Sequence, residues 1–405
     1  MRKKYAAFVS LLCAAMSLNF CLISCSGQPG DSASPGGSDS ENSADNSSGE
    51  TLEVEYNTSY TPVYFDGESV TNTVTRLNDG VYMVANRVTL NNSTVAIIYT
   101  IEIDLSKAEI HAGTADNKRS NWYPETATPY SMMTAYEKDS GRKVLATVNA
   151  DFFGATCLNA LVKDGCILKD GHTITSTDDY EDSFLYTDSK ADVPASAPML
   201  FGVNGEGKAQ IAPIVQYEGD VTSAEVKKKL VTSKLSYELK VQDKTYEIYE
   251  NNASQDAENA VIYHTSPVSK RKFPEGSVVY KVDITDDYTD MSILEKTVLE
   301  SSESYKATDS EGYIVVDPSF VGDESIRELN AGDSVTVQVT SDDGTWNGYE
   351  TILGCRQALV MDGEMAYTYQ NGEKICTVTL ENSNGAQSEN VPRTAVGLKE
   401  DGTLV

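Results

Sequence analysis

Three apolar stretches of this chain run straight into an Asp-Gly step: "LVKDG" at 161–165, "LVMDG" at 359–363 and "LKEDG" at 398–402. Asp-Gly suits the positive φ of tight turns, so each step reads as a bend between strands. Other segments carry the same signal. "TVAIIYTIEIDL" (94–105) reads as a long strand. "SYELKVQDKTYEIYE" (236–250) sets Tyr237, Leu239 and Val241, then Tyr246 and Ile248, at alternate positions around a short polar turn, a hairpin pattern. The stretch 309–339 continues it. Helical signal is sparse: "PYSMMTAYEKDSG" (129–141) with Gly141 as its stop, "VTSAEVKKKL" (221–230) behind a capping Thr or Ser, and the short "DESIRELNAG" (323–332). The expected fold is α+β, a single domain dominated by mixed or antiparallel sheet with a few short helices.

The first residues stand outside that fold. "MRKKY" is basic, "AAFVSLLCAAMSLNFCLI" is apolar, and "SC" comes next, the layout of a secretory signal. Leu22-Ile23-Ser24-Cys25 is similar to the bacterial lipobox, with Cys25 as the lipidated residue, although Ile23 replaces the more usual small residue. A plain membrane anchor is the competing reading, because the apolar run approaches the length of a short span. The segment after Cys25 favours the lipoprotein. From Ser26 to Glu50 no apolar residue is larger than Ala or Pro, so the segment cannot order itself by burial. As a flexible tether it spans ~25–30 Å. The expected organisation is a signal peptide over 1–24, a tether over 25–51, an extension over 52–74 and one domain over 75–405.

Hydrophobic residues make up 40% of the chain, enough for a packed core. Acidic residues outnumber basic ones 61 to 32, a formal charge of −29, which excludes a phosphate-backbone partner and hence nucleic acid. Of seven cysteines, Cys13 and Cys21 lie in the signal and Cys25 is the lipid site; Cys157, Cys166, Cys355 and Cys376 belong to the folded part. No pair has the CxxC spacing of a zinc site. Export permits disulfides, so Cys157 with Cys166 closing a small loop and buried free thiols are both open.

Familiar catalytic signatures are missing: no HExxH, GxSxG, P-loop or strand-borne GxGxxG. His111, His172 and His264 are far apart and read as surface or structural residues. "DITDDYTD" (283–290) lacks the glycine and terminal Glu of an EF-hand loop and reads as a turn. The remaining candidates are distributed. "GRKVLAT" (141–147) reads as a buried strand, and it ends in "VNADFF". There Asn149 and Asp151 share one face of a period-2 strand. They line a cleft, or they cap nearby backbone as in an Asx-turn. Arg393, behind Pro392, opens an apolar strand, and Arg356 lies in "ILGCRQALVMDG". Each is a candidate oxyanion fork or a surface partner for one of the many carboxylates.

Together these stretches resemble the phosphodiester glycosidase family, whose members include the lysosomal uncovering enzyme and bacterial proteins linked to exopolysaccharide. "YTIEIDLSKAEIHAG" resembles the entry strand of that family. "TPYSMMTAYEKDSGRKVLATVNADFF" resembles its helix followed by an Asn-x-Asp-Phe-Phe strand. "LNALVKDGCIL" resembles the hairpin that comes next, and "TILGCRQALVMDGEMAY" and "VPRTAVGLKEDGTLV" resemble later segments. The family carries glycines and a proline where this chain has "GCRQA". It also continues past the Arg-Thr-Ala-x-Gly strand, so the chain reads as a fragment or truncated member.

The resemblance implies hydrolysis of a sugar-1-phosphate diester at the anomeric C–O bond. A phosphate monoester leaves easily, so such a site needs a cation for the phosphate and a carboxylate near the oxocarbenium-like carbon. The implied roles are Arg393 on the phosphate, Asp151 as carboxylate and Asn149 orienting a hydroxyl or Asp151 itself. Thr394 adds a hydroxyl contact and Phe152 or Phe153 an apolar wall, while Arg356 stands beside them as a second basic candidate read from the residues alone. No cofactor is called for. The expected partners are a glycan or cell-envelope polymer and, through the lipid, a membrane. The competing class is a lipoprotein that holds such a polymer without cutting it. A solute-binding lipoprotein fits poorly, because helical signal is sparse.

Overall fold

Strand-length apolar runs become strands. In a computed structural model the described residues are 70–89, 95–117, 127–148, 160–169, 184–188, 193–194, 199–213, 215–217, 230–232, 235–249, 260–265, 270–285, 289–341, 343–355, 358–370, 372–377 and 394–405. β1 (Val70–Asn78), β2 (Val81–Thr89) and β3 (Val95–Ile103) form an antiparallel meander that buries Val74, Val81, Val84 and Ile98. The "LKEDG" step is a hairpin turn as expected. Asp401 Oδ1 accepts from Thr403 N, Gly402 takes φ 84°, and Lys399 N donates to Thr403 O. This hairpin pairs with the end of β3 through Ile103 N to Leu404 O (2.9 Å) and Leu404 N to Ile103 O (3.0 Å). The described residues up to Ala108, with Asp362–Glu364 and those after Val378, make one compact unit; 109–361 and 365–377 make the other.

The second unit holds α1 (Pro129–Ser140). Thr128 caps its start by accepting from Ser131 N, Pro129 takes the first turn, and Gly141 (φ 67°) stops it with its N–H on Glu137 O. The run after Gly141 departs from expectation. Residues 142–148 are irregular, and of these only Val144 and Leu145 are partly buried; Val148 is 61% exposed. An apolar composition permits a buried strand but does not supply a neighbour. Here Val144 N bonds the Glu137 side chain at 2.9 Å instead of a ladder.

β4 (Leu161–Lys163) and β5 (Cys166–Lys169) form a hairpin across Asp164 (φ 49°) and Gly165 (φ 75°), two positive values that only such a turn requires. β6 (Phe184–Leu185) pairs with β7 (Val193–Pro194), β8 (Met199–Asn204) with β9 (Ala209–Pro213), and β10 (Val215–Tyr217) with β11 (Leu230–Thr232). β12 (Ser236–Val241), β13 (Lys244–Tyr249) and β14 (Val261–His264) then begin a closed barrel. β15 (Arg271–Phe273) leaves it, β16 (Val278–Asp283) and β17 (Asp290–Val298) rejoin it, and β18 (Glu303–Tyr305) pairs back with β15. β19 (Glu311–Val316) and β20 (Ser334–Thr340) complete it in the order β12-β13-β14-β19-β16-β17-β20. β20 closes on β12 with Leu239 opposite Val337. β21 (Tyr349–Gly354) then enters a five-stranded sheet, β5-β4-β21-β8-β9.

The expected 236–250 hairpin is β12–β13, with Tyr237 opposite Ile248 and Leu239 opposite Tyr246. Their alternate side chains fill the barrel beside Tyr263, Tyr280, Val316 and Val339. β14, β16 and β19 are buried on their other face too, where Ile262, Val279 and Val315 pack with Phe273 and Leu299. Sheet and barrel share one core, and the Ile167 N–H donates to the buried Tyr237 hydroxyl at 2.5 Å.

The α+β expectation is therefore corrected: the described residues are nearly all β, with a seven-stranded barrel and one α-helix. The expected helix at 323–332 is a five-residue 3-10 turn, Glu324–Glu328, capped by Asp323. It ends because Asn330 N bonds Asp333 and Gly332 takes φ 94°, neither compatible with a continuing helix. The other expected helix, 221–230, lies outside the described residues except Leu230, which begins β11. Two-sided burial of the sheet ladders outweighs a weak local helical signal.

Candidate functional site

Among the described residues of the second unit, a group of chemically capable side chains gathers where residues 109–117, α1 and the β4–β5 turn meet. His111 Nε2 lies 3.1 Å from Glu109 Oε2, and Nδ1 lies 3.4 Å from Asp164 Oδ1. Carboxylates only accept, so both contacts are hydrogen bonds at once when each nitrogen carries a proton. The ring packs 5.0 Å from that of Tyr136, on α1. Arg142, just past the Gly141 cap, grips both Glu109 oxygens, one of them at 2.8 Å through NH2.

Lys163 is the buried member. No part of its side chain reaches solvent, and Nζ donates to Ala112 O at 2.9 Å and Asn117 Oδ1 at 2.8 Å. Asp164 Oδ2 lies 3.7 Å away, and the Tyr136 ring centroid 5.7 Å. A buried ammonium needs such partners to stay charged. Asn117 adopts φ 54° to present its side chain, whose amide also donates to Asp139.

The Arg142 hydrogen bonds, and then the one from His111, hold the Glu109 carboxyl below its ordinary range. Arg142 is in turn held charged, by Glu109 first and Tyr136 second. The pair is more than half exposed on both sides, so its net contribution is small, about 0–1 kcal/mol. Its value is positional. It fixes the start of the run that leads into Asn149, while the buried lysine fixes the hairpin that comes after. The group brings a carboxylate, an imidazole and a guanidinium into one neighbourhood, with the guanidinium engaged by the carboxylate.

Among the described residues, no three His, Cys, Asp or Glu side chains gather closely enough to hold a metal ion. Of the residues singled out from sequence, Thr394 is exposed and irregular at the head of the C-terminal segment. Cys25, Asn149, Asp151, Phe153, Arg356 and Arg393 lie outside the described residues, as do His172 and Cys157. His264 is structural as expected, buried beside Phe273 and Tyr313. His111, for which the sequence suggests the same role, is half-buried at the centre of the group. Only the Glu-x-His spacing at 109–111 hints at this, since Asp164 and Arg142 are brought in by the fold.

No family model matches the chain, and no curated protein does. A solved structure of a Burkholderia pseudomallei protein assigned as exported aligns over 80% of this chain and 61% of its own, at 10% identity and a TM-score of 0.30. The chain thus spans less than two thirds of that protein, and the score is below that of a shared fold.

Proposed function

We propose that the chain is an exported, lipid-anchored surface protein that hydrolyses a sugar-1-phosphate diester. Export and anchoring rest on the basic start, the apolar run and the Cys25 lipobox pattern. The hydrolytic reading is carried by one observation: a capped helix, α1, precedes Asn149–Asp151 and a tight Asp-Gly hairpin, β4–β5, comes after it. Those are the neighbours that the resemblance to phosphodiester glycosidases requires. In this reading Asp151 supplies the carboxylate near the anomeric carbon and Asn149 orients it. For the phosphate the sequence offers the guanidiniums of Arg356 and Arg393, with Thr394 and Phe153 as further contacts. Water ends on the anomeric carbon and the phosphate monoester departs. Glu109 and Arg142 act as positioning residues for the run that ends at Asn149.

The test is release of free sugar from a GlcNAc-1-phosphodiester by the intact chain and by Asp151→Asn, Arg356→Ala and Arg393→Ala. Release by the wild type, cut at least a hundredfold in Asp151→Asn and in one arginine variant, is the expected result. Activity within a few-fold of wild type in Asp151→Asn removes that residue's role. Retention of a teichoic-type polymer without any release replaces the hydrolase with a polymer-binding lipoprotein, the second reading.

A further inference from the structure

His111 stands between two carboxylates from different parts of the chain. Glu109, two residues back, meets Nε2 at 3.1 Å, and Asp164, in the β4–β5 turn, meets Nδ1 at 3.4 Å. Among the described residues, three further groups face this arrangement. Arg142 lies on the far side of Glu109, Lys163 Nζ lies 3.7 Å from Asp164 Oδ2, and the Tyr136 ring comes from α1. The backbone on either side of the ring is tied down. Ile110 O accepts from Thr351 Oγ1 at 3.3 Å, and Ala112 O accepts from Lys163 Nζ at 2.9 Å. A change of charge on the ring therefore acts on side chains and not on the path of the chain. The His111 side chain is 29% exposed, so its protons exchange with solvent.

Imidazole is the side chain whose charge ordinarily changes between about pH 5 and 8, whereas a guanidinium keeps its proton throughout. With both nitrogens protonated, the ring donates to both carboxylates. With one proton it has a single donor, and its lone pair meets a carboxylate that only accepts. The two contacts are not equivalent. Glu109 is held in place by Arg142 on both oxygens, and its contact to the ring is the shorter one. Asp164 has the Lys163 amine beside it to turn to. We propose that His111 is a pH-operated pin between residues 109–111 and the β4–β5 turn. With two protons it holds the Asp164 carboxylate. On losing the Nδ1 proton to solvent it releases that carboxylate while staying bound to Glu109, and Asp164 turns towards Lys163. This pin rests on the contacts alone and is independent of the hydrolytic reading.

The measurement is NMR of the isotope-labelled whole chain, titrated from about pH 5 to about pH 8, with the His111 ring assigned through its bonds to the backbone. Two variants accompany the wild type. Asp164→Gly suits the positive φ of that position and removes only the side chain with its carboxylate. His111→Phe keeps a ring against Tyr136 and removes the titrating group. The expected result has three parts. The neutral ring carries its proton on Nε2. The Gly165 amide signal of the wild type shifts with the same midpoint as the ring. In Asp164→Gly the ring still titrates, while that amide shift falls to less than a third of its wild-type size. A neutral ring protonated on Nδ1 overturns the proposal without relying on any variant, because the link to Asp164 then outlasts the one to Glu109. A wild-type Gly165 amide that ignores the ring overturns it too. An amide shift that persists in full in Asp164→Gly reduces the response to the field of the ring, and one that persists in His111→Phe assigns it to Lys163 or another group; either outcome removes the pin.

Discussion

Lys163 Nζ donates to Asn117 Oδ1 at 2.8 Å with no part of the lysine side chain exposed, so a buried amine is held inside the second unit by oriented oxygens. Replacing it with Met keeps the length and strips the donors. The buried Ala112 carbonyl and the half-buried Asn117 amide oxygen then lose their donor. Lys163→Met is expected to lower unfolding stability by about 2–4 kcal/mol. Urea denaturation measures this, and a loss below about half a kilocalorie would mean that relaxation or entering water satisfies both oxygens.

Tyr237 joins the barrel to the five-stranded sheet through its hydroxyl, which accepts from Ile167 N and also bonds the Cys166 side chain. Burial pushes that hydroxyl well above its ordinary range, so it stays neutral throughout the useful pH range. Tyr237→Phe fills the same space and leaves one buried N–H without an acceptor. The expected cost is about 1–3 kcal/mol. Hydrogen exchange supplies the specific readout: the Ile167 amide should lose protection by more than the global change accounts for.

The legible part of the fold is local. The alternation of Tyr237, Leu239 and Val241 against Tyr246 and Ile248 gives the β12–β13 hairpin with its register. The Pro129 start and Gly141 stop give α1. Closure of the barrel is not legible, because β12 meets β20 about a hundred residues later and local alternation does not name a partner. Burial of Lys163 is hidden for a similar reason: within "LVKDG" it reads as a turn flank, and only the fold brings Ala112 and Asn117 to it. The run 142–148 misleads in the opposite direction, its apolar residues lying largely exposed.

Two glycines in Asp-Gly turns should respond differently to the same change. Gly165 and Gly402 both take positive φ, 75° and 84°. A Cβ on Gly165 would lie 2.5 Å from the Thr289 methyl, whereas one on Gly402 meets nothing within 4 Å. Gly402→Ala therefore carries only the backbone cost, about 1 kcal/mol. Gly165→Ala adds a steric clash and should cost at least about 1 kcal/mol more. Thermal midpoints of the two variants decide it, and equal midpoints would mean that Thr289 rotates aside freely.

The acid limb of stability contains a contribution that one residue controls. Lys244 bonds Asp323 at 2.6 Å and, with the backbone of Ser325, holds its carboxyl down from an ordinary 3.8 to about 2. A depressed folded value means that the unfolded chain takes up the proton first. The contribution is thus complete above 3.8 and disappears as pH falls towards about 2. Asp323→Asn removes the charge but keeps the cap on Ser325 N, since Asn caps as well as Asp. Wild type should therefore melt above the variant at about pH 5, with the gap closing between about pH 4 and 2. Because both side chains are more than a third exposed, salt should narrow the gap at the higher pH. A gap that persisted unchanged down to pH 2 would assign the difference to the cap and not to the charge.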